Sequence, residues 1–153
     1  MSNIRNSAKA IIIKDGKILM IKGIDRWGYF YILPGGGQNP FENLKETLIR
    51  ECKEELNVNI IIHDIRYIRE YIGKNHEFSE YDSHLHQVEY MFLCEIKDEE
   101  NLKKGENPDN FQVDIEWIPL DKLSSYRIYP KILKDLIGKN GELLGPVYLG
   151  DVN

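Results

Sequence analysis

Apolar side chains along this chain either alternate with polar ones or run unbroken in short β-rich blocks, and both patterns predict strands. "SAKAIIIKDGKILMIKG" (Ser7 to Gly23) holds two such blocks around Asp15-Gly16, the dipeptide suited to a two-residue type I′ turn, so a β-hairpin is expected. "WGYFYILP" alternates its large side chains and reads as a strand that stops at Pro34, where the breaker run Pro34-Gly35-Gly36-Gly37 begins. The period then changes. Leu48, Cys52 and Leu56 recur at i, i+4 and i+8, joined by Ile49, which predicts a helix over about Leu44 to Leu56. Asn43 is its expected N-cap, with Glu46 three residues on to complete a capping box.

Strands return in "VNIIIHDIRYIREYI" (Val58 to Ile72), "HLHQVEYMFLCEI" (His84 to Ile96) and "FQVDIEWIPL" (Phe111 to Leu120). A polar loop over 73–83 and a charged loop over 97–110 separate them. "YPKILKDLIGKNG" predicts a second helix, with Pro130 in its first turn and Gly138 or Gly141 near its end. Strands with one helix in the middle and one at the end indicate a mixed sheet covered by helices.

Composition narrows the classes. A chain of 153 residues suits one domain spanning 1–153, and no linker or repeat divides it. Apolar residues at 42% and charged residues at 29% are ordinary for a soluble protein. No apolar run reaches the ~18 residues of a membrane helix, and the start lacks a secretory pattern. Cys52 and Cys94 are too few for a disulfide framework, so the cytoplasm is the expected compartment. With 20 basic and 25 acidic residues the formal charge is −5, unsuited to general nucleic-acid binding, though metal ions can still bring a phosphate substrate to an acidic protein. The expected assembly is a monomer or a homodimer.

The charge within "LPGGGQNPFENLKETLIRECKEELNV" raises the functional question. Glu51, Glu54 and Glu55 fall within about 100° on the helical wheel, where like charges at i,i+3 and i,i+4 each cost roughly 0.2–0.5 kcal/mol. Their face borders the apolar stripe. It is either a solvated charged face or a site for a hard divalent cation such as Mg²⁺. The glycine run upstream is either a plain strand-to-helix turn or a phosphate cradle. It is not a P-loop, since no Gly-Lys-Ser/Thr follows, and it lacks the dinucleotide spacing.

This stretch resembles the Nudix box of the MutT/Nudix hydrolase superfamily, G-x5-E-x7-R-E-U-x-E-E-x-G-U with U bulky and apolar. Gly36, Glu42, Arg50, Glu51, Glu54, Glu55 and Val58 hold its positions. Cys52 replaces an aliphatic residue, and Asn57 replaces a glycine at the helix end, where it is expected to adopt αL geometry. Asn39 and Phe41 replace the Glu and Gly of the common loop pattern.

The resemblance implies an α/β/α sandwich with a mixed sheet. It also implies divalent-metal hydrolysis of a nucleoside diphosphate linked to X, where the whole is a nucleoside triphosphate or a nucleotide sugar. Glu51, Glu54 and Glu55 would ligate Mg²⁺, with Mn²⁺ also workable, and Gly36 and Glu42 would assist. Arg50, at i,i+4 to Glu46 and Glu54, would orient a glutamate.

Glu54 or Glu55 is the favoured general base, with Glu106, Asp109, Asp114 and Glu116 as alternatives. Arg26, Trp27, Tyr29 and Tyr31 are candidates for the substrate's base, the three aromatics sharing one strand face; core packing is the other reading of that face. His84 and His86 also share a face and lack a third metal ligand, so a solvent-facing or hydrogen-bonded pair is expected. A binding module without turnover is the alternative function.

Overall fold

The structure, a computed structural model, describes residues 3–105 and 111–153. It contains strands β1 (Arg5–Lys14), β2 (Lys17–Asp25), β3 (Gly28–Ile32), β4 (Gly35–Gly37), β5 (Ile60–Ile72), β6 (His86–Ile96), β7 (Gln112–Pro119) and β8 (Tyr148–Asp151). The long helix is α1 (Leu44–Leu56); α2 (Ser79–Asp82) and α3 (Leu133–Leu136) are single turns.

The hairpin forms as the sequence predicts. Ile13 pairs with Ile18 and Lys14 with Lys17 across Asp15 and Gly16, both at positive φ, as a type I′ turn requires. β1 then serves as the hinge of the sheet. Its N-terminal half pairs in parallel with β6 and antiparallel with β4, while β2 carries β3 and β7. The strand order β3-β2-β1-β6-β5-β8 mixes both directions, since β8 also runs parallel to β5.

Each face of this mixed sheet buries its own core. On one face, Leu48, Cys52 and Leu56 of α1 pack on Ala8, Ala10 and Ile12 of β1 and on Phe92 and Cys94 of β6. The small alanines let the helix approach closely. The other core joins Ile11, Met20, Tyr67, Met91 and Ile118 to Leu133, Leu136 and Ile137 from the C-terminal segment.

That second layer departs from expectation. The helix predicted from Pro130 onward is reduced to Leu133–Leu136. A following turn takes the backbone that a longer helix would use: Leu144 N–H donates to Leu136 O (2.8 Å) and Gly138 N–H to Glu142 O (2.8 Å). The loop over 73–83 also differs, because it folds into a 3-10 turn followed by α2. His84 precedes β6 instead of sharing a strand face with His86, and His86 contacts Glu70 at 2.9 Å.

Candidate functional site

The acidic helix is positioned at both ends by its own sequence. The Asn43 side chain accepts from Glu46 N–H (2.9 Å), and the Glu46 carboxylate accepts from Asn43 N–H (3.0 Å), a complete capping box. At the other end Asn57 adopts αL geometry (φ 58, ψ 33), and its amide donates to Asn101 O. Between these caps, α1 directs Glu51 and Glu55 toward the glycine loop. A Cβ built at Gly36 would lie 2.5 Å from the Glu51 carboxyl carbon, so only glycine admits that carboxylate so close to the strand.

Arg50 organises the acids. Its guanidinium donates to Glu42 (2.7 and 3.2 Å), to Glu51 (2.9 Å), to Gly37 O (3.0 Å) and, more weakly, to Glu54 (3.5 Å). Of the two i,i+4 partners expected from sequence, Glu54 is reached; Glu46 is engaged in the cap instead. Arg50, with help from Asn39 N–H, pulls the Glu42 carboxyl down to about 2. Glu55 behaves oppositely. It is 8% exposed, accepts from Gly35 N–H at 3.2 Å and lies within hydrogen-bonding reach of the Glu51 carboxyl. Burial above all, opposed by Lys9 and reinforced by Glu51, pushes it up to about 8.

This arrangement fits a divalent cation chemically. Two carboxyls crowd together at the foot of a glycine loop, and burial with the neighbouring Glu51 carboxyl raises Glu55 despite Lys9. Yet among the described residues, no three acidic, histidine or cysteine side chains converge as a ready metal cluster. Glu51 and Glu55 meet; Glu54 is turned outward, with its side chain 55% exposed. Of the alternative bases, Asp114 is exposed on β7 and accepts from Ile115 N–H. Glu116 faces Tyr31, with Oε2 unpartnered among the described residues. Glu106 and Asp109 lie outside the described residues.

A second concavity, about 380 Å³, is lined from the β2–β3 turn, β3, the end of β5, the loop before β6 and the segment after β7. Arg26 and Trp27 line it as expected, but Tyr29 and Tyr31 do not. Tyr31 is buried (7% exposed) against Tyr126, and Tyr29 points to solvent beneath Lys22. The twist at the Trp27-Gly28 turn breaks the alternation that would place all three together. Its other walls include Phe30, Tyr71, Phe78, Tyr81, Arg127 and Tyr129, none expected from sequence to line it. Phe78 and Tyr81, two aromatics in an otherwise polar loop, were the available signal.

The charges in this pocket are mostly internally matched. Arg127 makes a bidentate pair with Asp25 (2.7 and 2.9 Å), which holds the Asp25 carboxyl low. Tyr71 OH donates to Asp82 (2.7 Å), and burial first, then Asp82, pushes that phenol up. Arg26 stacks on Trp27 and Tyr81. Behind Tyr71, the buried Arg69–Glu89 pair (2.6 Å) lies on the strand row that passes through Ser7 to Gly37. The aromatic pocket and the glycine loop are therefore joined by one polar row of the sheet.

The family model for the NUDIX domain matches residues 4–136. A "Nucleoside triphosphatase NudI" of Salmonella heidelberg is 41% identical over 58 residues, 36% of this chain and 41% of that protein. The match thus spans well under half of that relative. In structure, a NUDIX hydrolase from Nitrosomonas europaea aligns with TM-score 0.66 at 17% identity, covering 99% of this chain and 81% of that one. A MutT NUDIX hydrolase from Burkholderia pseudomallei aligns with TM-score 0.62 at 22% identity, covering 78% and 85%. Among the described residues, no helix is long and apolar enough to cross a membrane.

Proposed function

Because this chain belongs to the NUDIX domain family, we propose that it hydrolyses the diphosphate bond of a nucleoside diphosphate linked to X, with a divalent cation as cofactor. The observation that carries this reading is the crowding of the Glu51 and Glu55 carboxyls beneath Gly35 and Gly36, where Glu55 accepts from Gly35 N–H and only a glycine at 36 leaves room for Glu51. Glu51, Glu54 and Glu55 would hold Mg²⁺ or Mn²⁺. When bound, such ions neutralise the diphosphate and lower the pKa of a coordinated water.

The protein's own groups do the rest. Arg50 fixes Glu42 and Glu51 in place and keeps their negative charge directed at the loop. Glu54 is the most exposed of the three acids and has one weak contact, so it is free to take the proton of the attacking water. Water oxygen bonds to phosphorus, the anhydride P–O bond breaks, and the departing phosphate leaves as an anion. The aromatic pocket would stack the nucleobase between Trp27 and Phe78, whose rings lie 5.5 Å apart at 42° and must spread to admit it.

The test is a panel of nucleoside triphosphates and nucleotide sugars at saturating Mg²⁺ or Mn²⁺, beside the Glu54→Gln variant and an EDTA control. Turnover by the wild type alone, abolished by EDTA, is expected. Equal inactivity of wild type and variant on every substrate overturns the enzyme reading in favour of a binding module.

A further inference from the structure

An α-helix leaves its last four carbonyls without partners inside the helix. In α1 these belong to Lys53, Glu54, Glu55 and Leu56, so the turn that must be capped is the turn that carries two of the three acids. Asn57 N–H takes Lys53 O at 3.1 Å, an ordinary local cap. The chain then leaves: Val58 enters the core, and Asn59 N–H bonds Asp98 at 2.7 Å. Two of the other carbonyls are met from far along the sequence. Lys103 N–H donates to Leu56 O (3.1 Å), and Gly105 N–H donates to Glu55 O (2.9 Å).

Gly105 is buried and lies flat against the helix end. A Cβ built on it would fall inside the Glu54 carbonyl oxygen and lie 3.2 Å from the Glu55 Cα. Its φ is not in the left-handed region, so glycine is required here by closeness and not by backbone angle. The recess among Glu55, Lys104, Gly105 and Gln112 holds about 10 Å³, room for one water at most, which leaves no slack. The other end of the same segment is fastened to the sheet. Lys97 N–H donates to Asn59 O (2.9 Å), and Asp98 accepts from the side chains of Asn59 (3.2 Å) and Asn101 (3.1 Å). Leu102 packs on the α1 core, and Asn101 O accepts from the Asn57 amide (3.0 Å).

We infer that residues 97–105 form a brace that sets the acidic turn against the sheet, and that Gly105 is a positioning residue for Glu54 and Glu55. The inference rests on the reading of Glu51, Glu54 and Glu55 as cation ligands. A local cap travels with its helix and cannot decide where the helix lies. The brace can, because it joins the helix end to the start of β5 and the end of β6. The glycine loop belongs to the same sheet through the pairing of β4 with β1. Fixing the helix end therefore fixes the Glu55 carboxyl beneath Gly35 N–H, 3.2 Å away. Arg50 does the same work one turn earlier by bonding Gly37 O. Mg²⁺ demands near-ideal ligand geometry, so it is sensitive to this separation. A side chain at 105 would push helix and brace apart by roughly 1 Å or more, since non-bonded atoms settle near 3.5 Å.

Titration calorimetry with Mn²⁺ alone, in the absence of substrate, tests this. Gly105→Ala should bind Mn²⁺ about tenfold more weakly than wild type, or worse, as a ligand shift of about 1 Å implies. Lys103→Pro removes only the donor to Leu56 O and should weaken Mn²⁺ binding less, in the same direction. Leu123→Ala, in the other core, is the control for lost stability: it should lower the melting temperature at least as far and keep wild-type Mn²⁺ affinity. On a substrate of the wild type, Gly105→Ala should need more Mg²⁺ for half-maximal turnover, with kcat partly recovered at saturating Mg²⁺.

Wild-type Mn²⁺ affinity in Gly105→Ala overturns the positioning role and leaves the cation site standing. So does an equal loss of affinity in Leu123→Ala, which would make the effect one of general stability. If the wild type itself binds no Mn²⁺, the cation site falls, and the positioning role falls with it.

Discussion

The acidic cleft and the aromatic pocket balance their charges in opposite ways. At α1 the protein concentrates like charge: Glu51 and Glu55 share a buried corner, and only Arg50 answers them from within the helix. In the pocket the charged groups have partners of their own: Arg127 pairs with Asp25, and the Asp82 carboxylate accepts from the Tyr71 hydroxyl. The cleft crowds its acids together, and on the proposed reading a cation would relieve that crowding. The pocket is electrostatically closed and offers π surface and shape. Losing a group should therefore damage chemistry in the first and affinity in the second.

The largest effect should come from the cleft. Glu54→Gln or Glu55→Gln should lower kcat at least about 10³-fold, roughly 4 kcal/mol of transition-state stabilisation, with folding intact. Steady-state kinetics beside a thermal melt checks this. A comparable kcat loss from a pocket variant would erase the distinction.

The second test uses pH. The folded state holds the Glu55 proton more tightly than the unfolded chain does, so the metal-free protein has this stabilisation in full below about pH 4.5 and loses it as pH rises toward about 8. Urea melts in EDTA from pH 5 to 8.5 should show wild type losing up to a few kcal/mol relative to Glu55→Gln, and Mg²⁺ should restore it. Parallel pH profiles for the two proteins would mean that the corner is not frustrated.

Trp27→Ala probes the other side. It should raise KM about tenfold, near 1.4 kcal/mol, with kcat almost unchanged, since stacking contributes equally to bound substrate and transition state. The smallest effect lies away from both sites. Asn57→Val should cost about 1 kcal/mol in a thermal melt because a β-branched residue resists φ 58, while Asn57→Gly should be near neutral, its easier backbone offset by the lost contact to Asn101.

The same contrast governs what the amino-acid order discloses. The cleft is one contiguous segment, so spacing brings out Asn43, Glu46, Glu51 and Glu55, and the resemblance to the Nudix box adds Arg50 and the αL site at Asn57. The pocket is gathered from β3, the loop before β6, the segment after β7 and the C-terminal Asn153, and no local period links such distant pieces. Tyr31 shows why alternation misleads there: a strand face that begins at solvent passes into the core within two residues. The abbreviated helix at α3 has a related cause. Its apolar residues satisfy a helical period, but a later turn at Glu142 and Leu144 takes the Leu136 carbonyl and the Gly138 N–H that a longer helix would use. The loop of Phe78 and Tyr81 reads as polar because most of its residues are, although its few aromatics do the lining.

The chain's two tryptophans are divided between these environments: Trp27 stands half-open on the pocket wall, and Trp117 is partly covered in β7 beside the α1 core. That division furnishes an optical readout without any label. A base entering against Trp27, as proposed, would exclude water from one indole and quench or shift its emission, while Trp117 would supply a steady background. Ligand arrival can thus be timed separately from turnover, in a single cuvette, by the colour and intensity of light the protein already emits.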